Sequence, residues 1–262
     1  MLKDKGIFLH GSVGIGFVPK TPATPFPSSV KEQSSKESTR TLLHYAHQLG
    51  YPISYIQEQN GQLIQNILPV HKTESQQIST SSKVELALHT ETAFHPYKPD
   101  YILLLCLRGD DKAATTYANV NEIVESLSAE VVKALKQPWY KTAVDDSFRT
   151  HGEPQKEFVM PILSEAEGRM TITYDNFFMR GINTYADLAL AELNHAIQKN
   201  TKEIILKTGD LLVIDNSTVI HGRKPFQARY DGTDRWVQRM LVRKNLPPKD
   251  QIDGNVIITK FG

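Results

Sequence analysis

The chain has 262 residues, with 30 lysines and arginines against 29 acids, a net charge of +1 and 40% apolar residues. That length and composition suit one domain over residues 1–262, and the even charge balance excludes nucleic acid or an anionic membrane as a partner held by bulk charge. No run approaches the ~20 apolar residues of a membrane span, and the charged start Met1-Leu2-Lys3-Asp4-Lys5 does not read as a secretory leader. A cytoplasmic protein is therefore expected. The single cysteine, Cys106, excludes an internal disulfide and reads as a buried small hydrophobe.

Residues 18 to 40 carry Pro19, Pro22, Pro25 and Pro27 and read as an extended loop. Ser38 is placed to cap a helix that runs to about Leu49 and stops at Gly50, before Pro52. Two short alternating runs follow, Ile53 to Gln57 and Gln62 to Leu68, and the Asn60-Gly61 pair between them predicts a hairpin. Polar Lys72 to Ser82 reads as loop. Strand-type runs come at Val84 to Leu88, Tyr101 to Leu107 and Thr115 to Ala118. Ile123, Val124, Leu127, Val131, Val132 and Leu135 then recur at helical spacing and end before Pro138. A strand pair is predicted at Phe158 to Leu163 and Met170 to Tyr174. Thr184 caps a helix from Tyr185 to about Gln198, with Asp187 as a capping-box variant. The last third returns to strands at Glu203 to Lys207, Leu211 to Asp215, Thr218 to His221 and Trp236 to Arg243, with Thr208-Gly209-Asp210 turning between the first two. The pattern is mainly β with helices. It fits a barrel or sandwich with a helical segment inserted at about 120 to 200 better than a parallel sheet, which would need helices between most strands.

The sharpest local feature is Leu88-His89-Thr90-Glu91. On an extended segment, residues two apart point to one side, so His89 and Glu91 project together. A third ligand must come from elsewhere. His221 ends an apolar run that is split by Asp215-Asn216-Ser217, and Gly222 beside it allows close approach. Two histidines and one carboxylate on one face form the set used by non-haem iron(II) oxygenases. A His-x-Glu pair alone arises readily by chance, and a histidine after an apolar strand is usually a hydrogen-bonded core residue. The block Asp231-Gly232-Thr233-Asp234-Arg235-Trp236-Val237-Gln238-Arg239 strengthens the reading. Arg235 and Arg239 share a strand face, and each presents a planar fork for a carboxylate. One fork suits a dianionic cosubstrate and the other an amino-acid substrate. Trp236, between them, should face the other way and pack.

His89-Thr90-Glu91, Asp215-Asn216 leading to His221-Gly222-Arg223, and Arg229 to Trp236 together resemble the clavaminate synthase-like branch of the iron(II)/2-oxoglutarate oxygenases, over roughly Phe8 to Asn245. That branch includes hydroxylases of free arginine, lysine and asparagine. The resemblance implies a double-stranded β-helix, or jelly roll, with an inserted helical lid. It implies iron(II) on His89, Glu91 and His221, with 2-oxoglutarate and O2 as cosubstrates. Arg235 would bind the distal carboxylate of 2-oxoglutarate with help from the Thr116 hydroxyl, Thr115 being the fallback. Arg239 would take the substrate's α-carboxylate. Asp175 falls near where arginine hydroxylases carry acids for the substrate's cationic end, which makes lysine or arginine the favoured substrate. Where those enzymes carry a second acid this chain has Thr173, which weakens the case for arginine. Glu91 fills the position that chloride occupies in related halogenases, so hydroxylation or a similar oxidation is implied. The expected partner is a small molecule, in a monomer or a homo-oligomer.

Two alternatives stay open on sequence. His95 follows Glu91 at a spacing a cupin-type binding or isomerase protein could use, although Pro96 would end its strand. The same oxygenase chemistry could act on another small molecule or on a carrier-bound amino acid. His44 and His47, one helical turn apart, lack a third ligand nearby and read as surface residues.

Overall fold

The structure, a computed structural model, describes residues 6–26, 35–145, 148 and 155–261. In chain order the elements are β1 (Ile7–His10), α1 (Lys36–Leu49), β2 (Tyr51–Tyr55), β3 (Gln65–Ile67), β4 (Leu86–His89), β5 (Tyr101–Arg108) and β6 (Thr115–Asn119). An insert follows, made of α2 (Val120–Glu125), α3 (Ala129–Leu135), β7 (Tyr140–Ala143), β8 (Glu157–Met160), β9 (Leu163–Ala166), β10 (Arg169–Ile172), β11 (Arg180–Gly181) and α4 (Thr184–Asn200). The chain then returns to the core with β12 (Lys202–Ile204), β13 (Leu211–Asp215), β14 (Val219–Arg223), β15 (Trp236–Arg243), β16 (Ile252–Asp253) and β17 (Val256–Ile257).

Two sheets make the double-stranded β-helix. The larger has the order β1-β13-β5-β15-β2-β17-β16, and the smaller β12-β6-β14-β4. Their facing sides enclose a core that includes Ile102, Leu104, Leu212, Ile214, Val237 and Leu241. The outer face of the larger sheet is covered by α1, which lays Leu42 and Ala46 against Leu103, Leu105, Trp236 and Met240. The insert covers the outer face of the smaller sheet, packing Leu193 and Tyr140 against Ala118 and Ile220. The central strands β5 and β15 therefore bury both of their faces, which explains why Tyr101–Arg108 and Trp236–Arg243 read as nearly unbroken apolar runs.

Several sequence expectations shift. Ser35 caps α1, its hydroxyl accepting from the Ser38 N–H at 3.0 Å, so Ser38 lies one turn inside. Asn183 caps α4 through Ala186 N–H at 2.8 Å, while Asp187 accepts from Gly181 N–H at 2.9 Å and ties the helix to β11. The helical run from Ile123 to Leu135 is two helices, because the Ser128 hydroxyl caps a fresh start by accepting from Val131 N–H. Pro161 splits the strand expected over 158–163, and β9 pairs with β10 while β8 pairs with β7. The insert is thus mixed α and β rather than helical. Thr208-Gly209-Asp210, with Gly209 at φ +88, turns between β12 and β13 as expected and carries the chain from one sheet to the other.

The correction with most consequence is at Asn60-Gly61. Both residues take positive φ, as a tight turn requires, but β2 and β3 do not pair with each other. Each pairs with β15, Ile53 opposite Leu241 and Gln65 opposite Arg239. The turn lays the two strands end to end along one edge of β15 and so brings Gln65 to the barrel interior.

Trp236 faces away from the interior as expected. It is fully buried, and its indole N–H donates to Asn66 Oδ1 at 2.8 Å. Trp236→Phe should cost about 0.5–1.5 kcal/mol by removing one bond to Asn66 Oδ1, which keeps a longer one from Gln238 Nε2 at 3.4 Å, and Trp236→Ala about 3–5 kcal/mol through the added cavity. Urea unfolding measures both, and a Phe variant as stable as the parent would show that the bond contributes nothing.

Candidate active site

β4 ends at His89, and β14 lies beside it with His221 opposite His89. The two rings stand 4.6 Å apart, tilted by 43°. Glu91 follows two residues on and is fixed through its backbone. Its N–H donates to Asn216 Oδ1 at 2.8 Å, and Asn216 Nδ2 returns bonds to Glu91 O at 3.2 Å and Pro99 O at 2.9 Å. The polar break at Asp215-Asn216-Ser217 is therefore the clamp that holds the carboxylate ligand. One ligand atom from each of His89, Glu91 and His221 lies within 4.8 Å of the others, and no other such group exists among the described residues. His89 Nδ1 lies 2.8 Å from Ala87 O. A carbonyl only accepts, so Nδ1 carries the proton and Nε2 keeps its lone pair.

Burial and charge set the protonation states. Burial opposes ionisation of Glu91, but the Arg239 guanidinium and the two histidines outweigh it and hold the carboxyl well below the usual range. Burial also pushes His221 down from the ordinary histidine value, against a weaker pull from Glu91. Two neutral imidazoles and one ionised carboxylate are the donor set a divalent iron needs.

Arg239 is also buried, and burial again works against its charge. Glu58 and Glu91 outweigh that and keep it cationic. Its Nη1 donates to Glu91 Oε1 at 2.6 Å, its Nη2 to both Glu58 oxygens at 3.1 and 3.0 Å, and its Nε to Gln65 Oε1 at 2.8 Å. Sequence reasoning missed Glu58 and Gln65. Both lie around the Asn60-Gly61 turn, which was read as a hairpin pairing only with itself.

Arg235 contrasts with Arg239. It is 6% exposed and has no hydrogen bond or ion pair among the described residues. It lies one residue before β15 at the odd positions that, with Val237 and Leu241, face the interior. Burial lowers its pKa. Arg223, next along the same wall, is lowered to about 10 by burial and by Arg235. An unpaired buried guanidinium beside a metal-type triad suits the distal carboxylate of a 2-oxo diacid.

The strand register separates the two threonines considered for this carboxylate. On β6, Tyr117 lies opposite His221, Thr116 opposite Gly222 and Thr115 opposite Arg223. Side chains alternate, so Thr115 shares the face of His221 and Arg223 while Thr116 points to the other side. Consistent with this, the Thr116 hydroxyl lies 3.0 Å from where a Cβ on Gly222 would stand.

Asp175 forms an isolated bridge with His89 and so stands on the metal side, half-buried. Its Oδ1 accepts from the N–H groups of Phe177 and Phe178 at 2.8 and 2.9 Å, serving its own turn. His95 lies outside the triad. Its Nδ1 accepts from Tyr97 N–H at 2.9 Å, and its ring packs among Tyr55, Phe148 and Phe261, which removes the basis for the cupin reading. His44 bonds Gln48 on α1 and joins no metal-type group. Cys106 is buried and its thiol is pushed up to about 11 by burial, so it packs as a small hydrophobe.

A two-histidine, one-carboxylate set inside a double-stranded β-helix defines a non-haem iron oxygenase. The chain belongs to the taurine catabolism dioxygenase TauD, TfdA family, whose sequence profile matches residues 30–241. It is 35% identical over 201 residues to L-lysine 3-hydroxylase of Catenulispora acidiphila, a match covering 74% of this chain and 55% of that protein. It is 31% identical over 250 residues to enduracididine beta-hydroxylase of Streptomyces hygroscopicus, covering 86% of this chain and 73% of that protein. The structure superposes on asparagine oxygenase in complex with Fe(II), 2S,3S-3-hydroxyasparagine and succinate with a TM-score of 0.86 at 31% identity, over 97% of this chain and 80% of that one. The chain thus spans about half the length of the first relative and most of the other two.

The two buried neutral histidines give the metal-free protein a defined acid response. His95 is pushed down to about 3 by burial, Arg243 and Lys98, and His221 is lowered by burial. Both folded values lie below the ordinary 6.5, so as pH falls below that value the unfolded chain takes up protons that the folded chain refuses. Stability that is complete above pH 6.5 should therefore fall progressively toward the folded values, by up to about 1.4 kcal/mol per pH unit for each histidine. Urea midpoints of chelator-treated protein between about pH 7 and about pH 5 test this. A midpoint that does not move would contradict the buried neutral imidazoles.

Proposed function

We propose that this chain hydroxylates a free α-amino acid at its third carbon, taking O2 and converting 2-oxoglutarate to succinate and CO2. One oxygen atom enters the substrate C–H bond and the other enters succinate. The observation that carries the reading is Arg239 held between Glu58 and the triad's own Glu91. A cation and a carboxylate side by side at the metal match the two charges of an amino-acid head group. Arg239 takes the α-carboxylate and Glu58 the α-ammonium, each in a charge-assisted bond.

The three relatives act on lysine, enduracididine and asparagine, whose side chains differ while the carbon oxidised is the same. A site that grips the head group can bring that carbon to the metal with different side chains beyond it, although other relatives, such as L-lysine 4-hydroxylase of Niastella koreensis, carry the next carbon in their names. His89, Glu91 and His221 would hold iron(II), which when bound activates O2 as 2-oxoglutarate is decarboxylated. Arg235, with the Thr115 hydroxyl on the same wall, would hold the distal carboxylate of 2-oxoglutarate. The protein's own share is to fix both organic partners against one face of the triad and to keep water from it. The basic side chain expected from sequence rested on Asp175, and the head-group argument is independent of that residue. We read the protein as one domain over residues 1–262, acting on a small molecule in the cytoplasm. No helix among the described residues is long and apolar enough to cross a membrane.

Incubation with iron(II), ascorbate, 2-oxoglutarate and single amino acids should give substrate-stimulated succinate and a product heavier by one oxygen atom. The absence of stimulation by every amino acid would sink the reading. His221→Ala should abolish iron binding and His95→Ala should not.

Arg235→Gln should raise the KM for 2-oxoglutarate by about tenfold to a hundredfold, the value of a lost charge-assisted bond. Glu58→Gln should instead raise the KM for the amino acid, by about tenfold. Steady-state kinetics with each partner varied in turn separate the two effects, and equal effects on both KM values would contradict the division of labour.

A further inference from the structure

A cleft of about 510 Å³ opens between the segment that follows Glu91, the strand β8 and the end of the described chain. Ala93 and Phe94, which follow Glu91 along the chain, line it, and so does Thr173. Thr173 is two residues before Asp175, the partner of His89, so on an extended segment it shares the metal-side face. At Thr173 the cleft reaches the face that carries the triad, and from there it runs away from Arg239 and Glu58, which do not line it.

Its charge is one-sided. Lys98, Lys156 and Lys260 line it, and no acid does among the described residues. None of the three lysines has an ion pair or a side-chain hydrogen bond there; Lys156 has only the Phe158 ring, at 5.8 Å. Elsewhere this chain pairs lysines with glutamates, as in Lys83–Glu74, Lys136–Glu165, Lys141–Glu157 and Lys202–Glu122. A second observation is independent of the lysines. His95 also lines the cleft and is 2% exposed. Its Nδ1 accepts from Tyr97 N–H, so its proton sits on Nε2, and that buried N–H has no acceptor among the described residues. Lys98, half-buried, has its ammonium pKa lowered by burial and by Arg243, the mark of a cation without sufficient counter-charge. Four donors thus border one cleft, with no acid lining it among the described residues; Asp100 acts on Lys98 but does not outweigh burial and Arg243. Lys156 and Lys260 are exposed, while Lys98 and the His95 N–H are the buried members, and a buried donor without an acceptor is costly in a way that an anion relieves.

We propose that this cleft receives an anionic group, a carboxylate or phosphate, at the far end of the amino-acid substrate, so that the chain selects acidic over basic amino acids. The inference rests on the reading of the triad as an amino-acid oxygenase. Asp175 does not oppose it, since one of its oxygens is bound in its own turn and it is not among the residues that line the cleft.

The test is a panel of L-glutamate, L-2-aminoadipate, O-phospho-L-serine, L-norleucine, L-lysine and L-arginine, each with iron(II), ascorbate and 2-oxoglutarate, read by succinate release and product mass. The expected order of kcat/KM is acidic above neutral above basic. Carboxylates outrunning the phosphate, or the reverse, identifies which anion the cleft takes. The double change Lys156→Glu with Lys260→Glu, at exposed rim positions that folding should tolerate, should raise the KM for the acidic substrate by about tenfold or more and lower that for lysine. Lys133→Glu, on α3 and outside the cleft lining, should leave the order intact. If lysine or arginine is the best substrate of the unaltered enzyme, or if the double change leaves the order as it was, the inference is overturned while the amino-acid reading stands. If no amino acid of any charge stimulates succinate, that reading falls and this inference with it.

Discussion

A buried cation, Arg239, is the element on which the site depends. A guanidinium in the interior of a β-helix must be paired or it destabilises the fold. Here its partners come from three separate places: Glu91 beyond β4, Glu58 before the Asn60-Gly61 turn and Gln65 on β3. The same contact that satisfies Arg239 keeps Glu91 ionised against its burial. A metal ligand is thus held in its binding form by a residue that touches no metal. The arrangement requires β15 at the centre of the larger sheet, with β5 along one side and β2 and β3 end to end along the other. Any shift of β3 by one residue would send Gln65 to the outer face.

The second arginine shows the complementary principle. Arg235 lies four residues away on the same strand face, equally buried, yet has no acid within bonding reach among the described residues. Two buried cations on one strand, one paired and one unpaired, cannot both be structural devices. The paired one organises the site before any ligand arrives. The unpaired one carries a desolvation cost that only a bound anion offsets, which makes ligand binding part of the stability of that wall.

Much of this was legible in the sequence, and the parts that were not share a physical reason. The alternation of a strand sufficed to put His89 and Glu91 on one side, and the spacing within Asp231 to Arg239 sufficed to pair Arg235 with Arg239. Both arguments use neighbours on one strand. Thr115 and Thr116 could not be told apart, because the choice depends on the register of β6 against β14, about a hundred residues later. Glu58 and Gln65 were missed for the same kind of reason. The Asn60-Gly61 turn was identified with its positive φ angles, but a turn does not say whether its flanking strands pair with each other or with a third. The insert was labelled helical because the spacing from Ile123 to Leu135 and from Tyr185 onward dominates its periodicity, although a strand pair was expected within it. Its five strands are four residues or fewer, so β7 and β11 showed no alternation and the break at Pro161 was not seen.

The charges of the interior fall into three groups that differ in how they are satisfied. Around Arg239 every charge has a partner, and that pairing suits a zwitterion that could exchange like for like. At Arg235 a single cation is unpaired, which suits one carboxylate of fixed identity. Along Lys98, Lys156 and Lys260 the cations are unpaired and longer-stemmed, and two of them sit at an exposed rim. Flexible ammonium groups tolerate anions of different reach better than a fixed guanidinium fork does. The metal-binding and head-group regions are therefore the ones that geometry constrains tightly. The lysine-lined cleft is the region where a few surface substitutions could change the substrate without disturbing the triad, because none of its cations supports another buried charge.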